Sequence, residues 1–484
     1  MKTITKSKYT KGLQCPRLLW YADRKKLPES DLMQKHRYAQ GPIFEEYAKK
    51  LYSGIELGDL DFNENIEKTK ELVEEKKTIF EAGFKVDDFF IRADILEPNG
   101  DGWNLYEIKA SSDNPKDIKK KWAKYIPDLA FQKYVIEKCG LKIKKCFVLL
   151  LNHEFVKQGE INVKELVSKH DVTLQVELVN NVEENAQKYL EVIKEEDEPG
   201  INISTNCNKP YECALKPHCW GTLPDNNVLH LTNWRQYWKF FHSGIIDMKD
   251  VVNEKLNSKD TIIREGALSC KVVYDKDRIK EFLDGLVFPL FHFDFETFDT
   301  AVPLFDKSRP YQKIPFQYSL HIQSEDGELE HFEFLSEGEE DPRIKLLEQL
   351  KKEIVRTGSV VVFNKSFEIS VLKKLAIDFP KHASWIETVI GRIVDLAVPF
   401  QNFHYYCPTQ KGSYSIKKVL PAITGKGYDN LEINNGGDAS IGYFNNFILE
   451  KKGDSKLREH LLKYCKLDTE GMVWIVRELK EIVK

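Results

Sequence analysis

Hydrophobic positions recur along this chain with two periods. From Phe89 to Leu96 apolar and polar residues alternate, as in a half-buried strand, and Trp103 to Ser111 repeats the alternation after a run of turn residues, Glu97-Pro98-Asn99-Gly100-Asp101-Gly102. The two stretches read as a hairpin. The apolar run Leu286 to Phe293 predicts a buried strand, and Val360-Val361-Val362 predicts another. Helical spacing links Leu372, Leu375 and Ile377, and also Leu457, Leu461, Leu462, Cys465 and Leu467, while a further helix is expected to begin near Asp128. Trp234, Tyr237, Trp238, Phe240 and Phe241 cluster at helical spacing in a stretch read as a buried helical connector. Strands and helices interleave, so the fold class is α/β.

With 484 residues the chain exceeds what one core supports, so several units are expected. A composition of 42% hydrophobic and 31% charged residues is that of a soluble globular protein. No apolar run approaches membrane-spanning length and no apolar stretch follows the Lys-rich N-terminus, so the expectation is a cytoplasmic protein with no membrane partner. The net charge of −4 is awkward for a nucleic-acid partner unless acidic metal sites account for part of it. Local basic runs matter more: Lys116, Lys119, Lys120, Lys121 and Lys124 surround Trp122 and Tyr125; such a run is most commonly a solvated helix face, but its place just after the Glu107-x-Lys109 strand favours a passing phosphate backbone.

Candidate chemistry falls in two places. Asp294 and Glu296 are two apart at the end of a predicted strand, so their carboxylates share a face; Tyr464 and Asp468 are four apart on a predicted helix, so they stack on one side of it. Carboxylates gathered this way suit hard cations such as Mg²⁺ or Mn²⁺, and two such cations supply phosphodiester hydrolysis with an activated water and a stabilised leaving oxygen. With Asn364-Lys365-Ser366-Phe367-Glu368 between them, these motifs resemble, in order, the Asp-x-Glu, Asn-x-x-Phe-Asp and Tyr-x-x-x-Asp of DnaQ-like (DEDD) exonucleases of RNase H-like fold. Glu368 stands where that family has Asp. The resemblance implies metal ligation by Asp294, Glu296, Asp468 and Glu368, an attacking water oriented by Tyr464, a supporting position for Asp395, and removal of nucleotides from 3′ ends.

In the N-terminal half, Asp94 lies on the first hairpin strand while Glu107 and Lys109 share a face of the second, and two carboxylates beside a lysine form a water-activating metal site. This arrangement resembles the PD-(D/E)xK nucleases of RecB type. Cys15 precedes that core, and Cys207, Cys213 and Cys219 follow it with five residues between neighbours. One early and three late cysteines resemble the iron–sulphur RecB-type nucleases and imply a [4Fe–4S] cluster held by four thiolates; tetrahedral zinc is the alternative. By the same resemblance, Glu45 falls near the position of a family histidine and is a further possible metal ligand, with Glu46 as its competitor, and Gln132 matches a family glutamine that binds the nucleic-acid backbone.

The whole order resembles a family of uncharacterised bacterial proteins that fuse an iron–sulphur RecB-like domain to a DnaQ-like one. The implied organisation is a PD-(D/E)xK restriction-endonuclease-like domain over 1–220, a helical connector over 221–285 and an RNase H-like domain over 286–484. The implied activity is metal-dependent nucleic-acid hydrolysis, with DNA favoured. RNA trimming, and a nucleic-acid-binding scaffold with an inactive N-terminal site, remain alternatives.

Overall fold

The computed structural model describes residues 2–252, 254–338, 340–355 and 357–484 of a mixed α/β protein. The chain divides into two compact units, one running up to Thr222 and regaining Thr300–Gln312, the other comprising Leu223–Asp299 and Lys313–Lys484.

The first unit is built on a seven-stranded sheet of β1 (Ile4–Thr5), β2 (Ile55–Glu56), β3 (Ile79–Val86), β4 (Phe89–Asn99), β5 (Gly102–Ser112), β6 (Ile143–Leu151) and β7 (Val167–Asp171). The order is β2-β3-β4-β5-β6-β7, with β1 parallel to β4. β5 lies inside this sheet, antiparallel to β4 and parallel to β6. The β4–β5 turn is tighter than the run of turn residues predicts, because Glu97, Pro98 and Asn99 still pair with Asn104, Trp103 and Gly102. Gly100 alone takes a left-handed conformation there, at φ +63°, where a side chain would be strained. The helix expected near Asp128 begins earlier and spans Ile118–Lys138, with Pro127 inside it. Tyr125 and Ile126 are buried along with Leu129, Phe131, Val135 and Ile136, so packing on both sides of the proline outweighs the hydrogen bond it removes.

The second unit contains β8 (Val273–Tyr274), β9 (Leu290–Phe298), β10 (Ile314–Gln323), β11 (Leu329–Leu335), β12 (Val360–Val362), β13 (Ile393–Asp395) and β14 (Tyr405–Tyr406). Five of them form a sheet in the order β11-β10-β9-β12-β13, in which β10 is antiparallel to β9 and β11 while β12 is parallel to β9 and β13. Phe291, Phe293 and Phe295 of β9 pack with Val360, Val362, Leu372 and Leu375 in its core. β9 starts after Pro289 and continues four residues beyond Asp294, because pairing of Asp294 with Ser319 and of Glu296 with Gln317 keeps the polar stretch extended. Asp294 and Glu296 therefore sit within the strand rather than just past its end.

Residues 223–285 count with the second unit and form no body of their own. Val228, Leu231, Phe240, Met248 and Ile263 close a core together with Phe403 and Tyr406, so the apolar side chains of this segment complete the second unit. Of the aromatic cluster, Trp238 and Phe240 are buried whereas Trp234 is exposed. Thr300–Gln312 returns to the first unit, where Ala301 and Val302 join the cluster around Phe44 and Tyr106, and the Tyr311 hydroxyl donates to the Ala110 carbonyl at 2.5 Å. No described helix is long and apolar enough to cross a membrane.

Candidate active sites

In the second unit the site grows from the inner strand of the sheet. β9 carries Asp294 and Glu296 on one face; the Ser366–Asp378 helix brings Glu368 from its first turn; the Ser455–Val483 helix brings Tyr464 and Asp468 one turn apart, both on its buried side. Ligand atoms of Asp294, Glu296 and Cys465 lie within 4.8 Å of one another, and the Cys465 thiol is 3.9 Å from Asp294 Oδ2. Glu296 and Tyr464 converge on Gly436, where a Cβ would stand 3.4 Å from Glu296 Oε2 and 3.8 Å from the Tyr464 hydroxyl.

The electrostatics follow from burying several carboxylates together. Burial, and then Asp468, Glu296 and Glu368, push the Asp294 carboxyl well above its usual range; burial and then Asp468 do the same to Glu296. Glu368 is raised to about 8, chiefly by burial, and Asp468 to about 6 by burial against the hydrogen bond from Tyr428. Glu368 Oε2 is buried and has no hydrogen-bond partner, which is costly unless a cation or proton satisfies it. An oxygen-rich, charge-crowded set with an orphaned carboxylate oxygen fits a hard divalent cation, with Asp294, Glu296, Glu368 and Asp468 as the groups that could hold it. Asp395 is spent elsewhere. Its carboxylate accepts from the Asn364, Lys365 and Ala397 amides at 2.9, 3.1 and 3.0 Å and so fixes the turn that leads into the Glu368 helix.

Three neighbours escaped the sequence reading. The Tyr428 hydroxyl donates to Asp468 Oδ1 at 2.5 Å, Cys465 contacts Asp294, and the Lys417 ammonium lies 5.5 Å from the Tyr464 ring centre. Tyr428 sits in an irregular segment and carries no periodic signal; Cys465 falls at helical spacing among apolar residues, and Lys417 is one basic residue of the Ile416–Thr424 helix.

In the first unit, β4 and β5 set Asp94 beside Glu107, and Asp94 Oδ2 accepts from the Ile108 amide at 2.7 Å. Glu107 is fully buried and accepts from Lys109, from Gln132 at 2.6 Å and from Lys6 at 3.0 and 3.1 Å. Lys6 also donates to Asp94 Oδ1 at 2.9 Å, and Lys109 reaches Asp128 at 3.4 Å. Burial opposes the charge of Glu107, but Lys109 and Lys6 more than offset it and hold the carboxyl down at about 2. Asp94 is raised instead, by burial and by Glu107. Burial followed by Glu107 raises Asp128 to about 6; burial, Asp94 and Glu45 raise Glu81 to about 8. Asp94, Glu107 and Glu81 are the groups here that could hold a divalent cation.

Glu45 faces this cluster and pairs with Lys49 at 2.5 Å, whereas Glu46 is exposed and pairs with Lys50. Gln132 is buried and its amide holds Glu107 and Asp128, so its side chain orients carboxylates and does not reach a backbone outside. Lys6, Glu81 and Asp128 were missed. Glu81 had a local signal only in the structure: it takes φ +57° inside β3, a rare conformation for a side-chain-bearing residue.

All four predicted cysteines line one cavity of about 100 Å³ beside the first unit's N-terminal helices, and each is free of disulfide bonding. Gln14, next to Cys15, donates to the carbonyls of Asn206 and Tyr211 at 3.0 and 2.8 Å, which ties the end of the Lys6–Gln14 helix to the late-cysteine loop. The Arg17 guanidinium donates to the Cys219 sulphur at 3.4 Å. Burial raises Cys15 and pushes Cys213 up to about 11, so a bound cation is what would hold them as thiolates. Within the basic run the roles divide: Tyr125 is buried, Trp122 packs on His170, Lys124 lies 4.1 Å from the Tyr211 ring centre, and Lys116, Lys119 and Lys120 are exposed.

Among known proteins, a family model described as "Domain of unknown function (DUF2779)" matches residues 291–415, a span that includes Asp294, Glu296, Glu368 and Asp395 and stops before Tyr464. The chain is similar to "Uncharacterized protein MG366" of Mycoplasma genitalium, 28% identical over 215 residues, covering 40% of this chain and 32% of that protein. The "Uncharacterized protein MG366 homolog" of Mycoplasma pneumoniae is 30% identical, with coverage of 40% and 32%. "Uncharacterized protein UU173" of Ureaplasma parvum is 27% identical over 217 residues, covering 40% and 31%. The chain thus spans about a third of the length of the curated relatives it matches. Among solved structures, "Crystal structure of SSO0001" aligns at a TM-score of 0.23 and 14% identity over 46% of this chain and 89% of that one.

The raised carboxyls carry a stability consequence. Glu368 and Glu81 at about 8 and Asp468 at about 6 lie above the roughly 4 of an unfolded carboxyl, so the folded state binds more protons than the unfolded one across that interval. In chelator-containing buffer, stability is therefore expected to fall as pH rises from about 6 to 8, and calorimetry should show Mn²⁺ removing that slope. Glu368→Gln should flatten it in part. A metal-free stability that stays level or rises over this range would contradict the assignment.

Proposed function

We propose that this protein is a metal-dependent nuclease with two hydrolytic centres, a DEDD-type 3′-to-5′ exonuclease centre in the second unit and a RecB-like centre in the first, acting on DNA in preference to RNA. The observation that carries this reading is the convergence of half-buried Asp294 with buried Glu296, Glu368, Asp468 and Tyr464, supplied by three separate elements and including an unpartnered oxygen on Glu368. The sheet order β11-β10-β9-β12-β13, with the carboxylates on its inner strand, supports an RNase H-like domain; the Asp94, Glu107 and Lys109 arrangement on a mixed sheet supports a PD-(D/E)xK one.

Divalent cations bound at these carboxylates would supply the activated water and the stabilised leaving oxygen. The chain's own residues do the rest. Tyr464, held neutral by burial and by Asp468, keeps a hydroxyl available to orient the attacking water. Asp395 and Tyr428 fix the approach of Glu368 and Asp468. In the first unit Lys109 keeps its charge beside Glu107 and is positioned to stabilise negative charge developing on a phosphate.

The cavity lined by Cys15, Cys207, Cys213 and Cys219 supports a [4Fe–4S] cluster held by four thiolates, with tetrahedral Zn²⁺ as the alternative.

Release of mononucleotides from end-labelled DNA and RNA, dependent on Mg²⁺ or Mn²⁺, tests the reading directly. Lys109→Ala is expected to lower the activity of the first centre by roughly 10²-fold or more while leaving 3′-end digestion intact. An equal loss of both activities would instead indicate a single centre. Absence of any hydrolysis, with nucleic-acid binding retained, would favour the scaffold alternative.

A further inference from the structure

One lysine in the first unit has no counterpart in the residues that define its site. Lys6 is the first residue of the Lys6–Gln14 helix, held there by Thr5 as cap and by the pairing of β1 with β4. Its ammonium stands between the two carboxylates most central to the site, 2.9 Å from Asp94 Oδ1 and 3.0 Å from Glu107 Oε1. Only a quarter of the side chain is exposed. Lys109 occupies a different place, bonding Glu107 and Asp128 and no oxygen of Asp94. Asp94 and Glu107 are thus joined by one ammonium, and that ammonium comes from a helix whose far end leads into Cys15 and is bonded through Gln14 to the late-cysteine loop.

We infer that Lys6 is a built-in cation of the N-terminal carboxylate site, occupying the space between Asp94 and Glu107 and competing there with a divalent cation. This rests on reading those carboxylates as a cation site. Hard cations bind carboxylate oxygens at 2.0–2.6 Å, so one shared by Asp94 and Glu107 would lie within a few ångströms of the Lys6 nitrogen. Like charges at that distance in a buried setting repel strongly, and one must leave. Lys6 can leave: its stem is flexible and a quarter of its side chain is exposed, whereas Asp94 is fixed by the Ile108 amide and Glu107 by Gln132. The ammonium neutralises the carboxylates while the site is metal-free, and cation loading requires it to swing out.

The test uses the full chain carrying Asp294→Ala and Asp468→Asn, which silence cation binding in the second unit, and Mn²⁺ as the probe. Isothermal titration should give Lys6→Met at least ~10-fold tighter Mn²⁺ binding than the parent, because a competing charge is gone, while Lys6→Arg stays near the parent. The parent offers a second measurement that needs no Lys6 variant. Amine-reactive labelling read by mass spectrometry should show Lys6 becoming more reactive on addition of Mn²⁺, as it is displaced. Mn²⁺ binding that is unchanged or weaker in Lys6→Met, together with unchanged Lys6 labelling in the parent, would overturn the competition while leaving the cation site standing. Mn²⁺ binding insensitive to Asp94→Asn and Glu107→Gln would overturn both.

Discussion

Asp294→Ala is expected to bring 3′-end hydrolysis down to background. Asp294 sits half-buried on an inner strand within reach of Glu296 and Cys465, and it feels the charges of Asp468, Glu296 and Glu368, so its loss removes cation and geometry together. Tyr464→Phe keeps the ring and its packing but drops the hydroxyl, and should cost roughly 10²- to 10⁴-fold, the range of a water-orienting or proton-transferring group. Glu368 separates the possibilities further. Glu368→Ala should be nearly as damaging as Asp294→Ala, while Glu368→Asp shortens the carboxylate by one methylene and should change the rate or the preference between Mg²⁺ and Mn²⁺. Rates on end-labelled DNA measure all four. Wild-type rates in Glu368→Ala would remove that residue from the site, and wild-type rates in Asp294→Ala would end the exonuclease reading.

Protein purified without oxygen should be brown and carry about four iron and four sulphide per chain, bound by Cys15, Cys207, Cys213 and Cys219. Cys213 is the most buried of the four and packs with Leu18 and Leu215, so Cys213→Ala loses a ligand and loosens a small apolar cluster. The variant should lose its visible absorption and destabilise the first unit by roughly 4 kcal/mol or more, the range of a lost structural metal or disulfide. Iron analysis and thermal unfolding read the two effects separately. One zinc per chain and no sulphide would replace the cluster with a tetrahedral metal.

Much of the candidate chemistry was legible because it follows local periods. Asp294 and Glu296 two apart on a strand, Tyr464 and Asp468 four apart on a helix, and Glu107 and Lys109 across one residue all have their facing dictated by backbone geometry. The turn residues after Leu96 marked a hairpin for the same reason, although cross-strand pairing made the turn tighter than the residues alone indicated.

What local pattern could not determine was which groups meet across long separations. Lys6 joins Asp94 and Glu107 only because β1 pairs with β4, and Tyr428 reaches Asp468 from a segment with no periodicity. Gln132 carries a residue type suited to binding a ligand, yet burial turned it inward onto Glu107. The aromatic segment after Leu223 read as a connector because its partners, Phe403 and Tyr406, lie far along the chain. Backbone geometry sets which side chains share a face, and so the sequence by itself determined the two carboxylate motifs and the α/β class. Burial and charge pairing arise only when distant faces close on one another, and so the tertiary structure alone decided the lysine, Lys6, that bridges Asp94 and Glu107, the tyrosine that holds Asp468 and the extent of each unit.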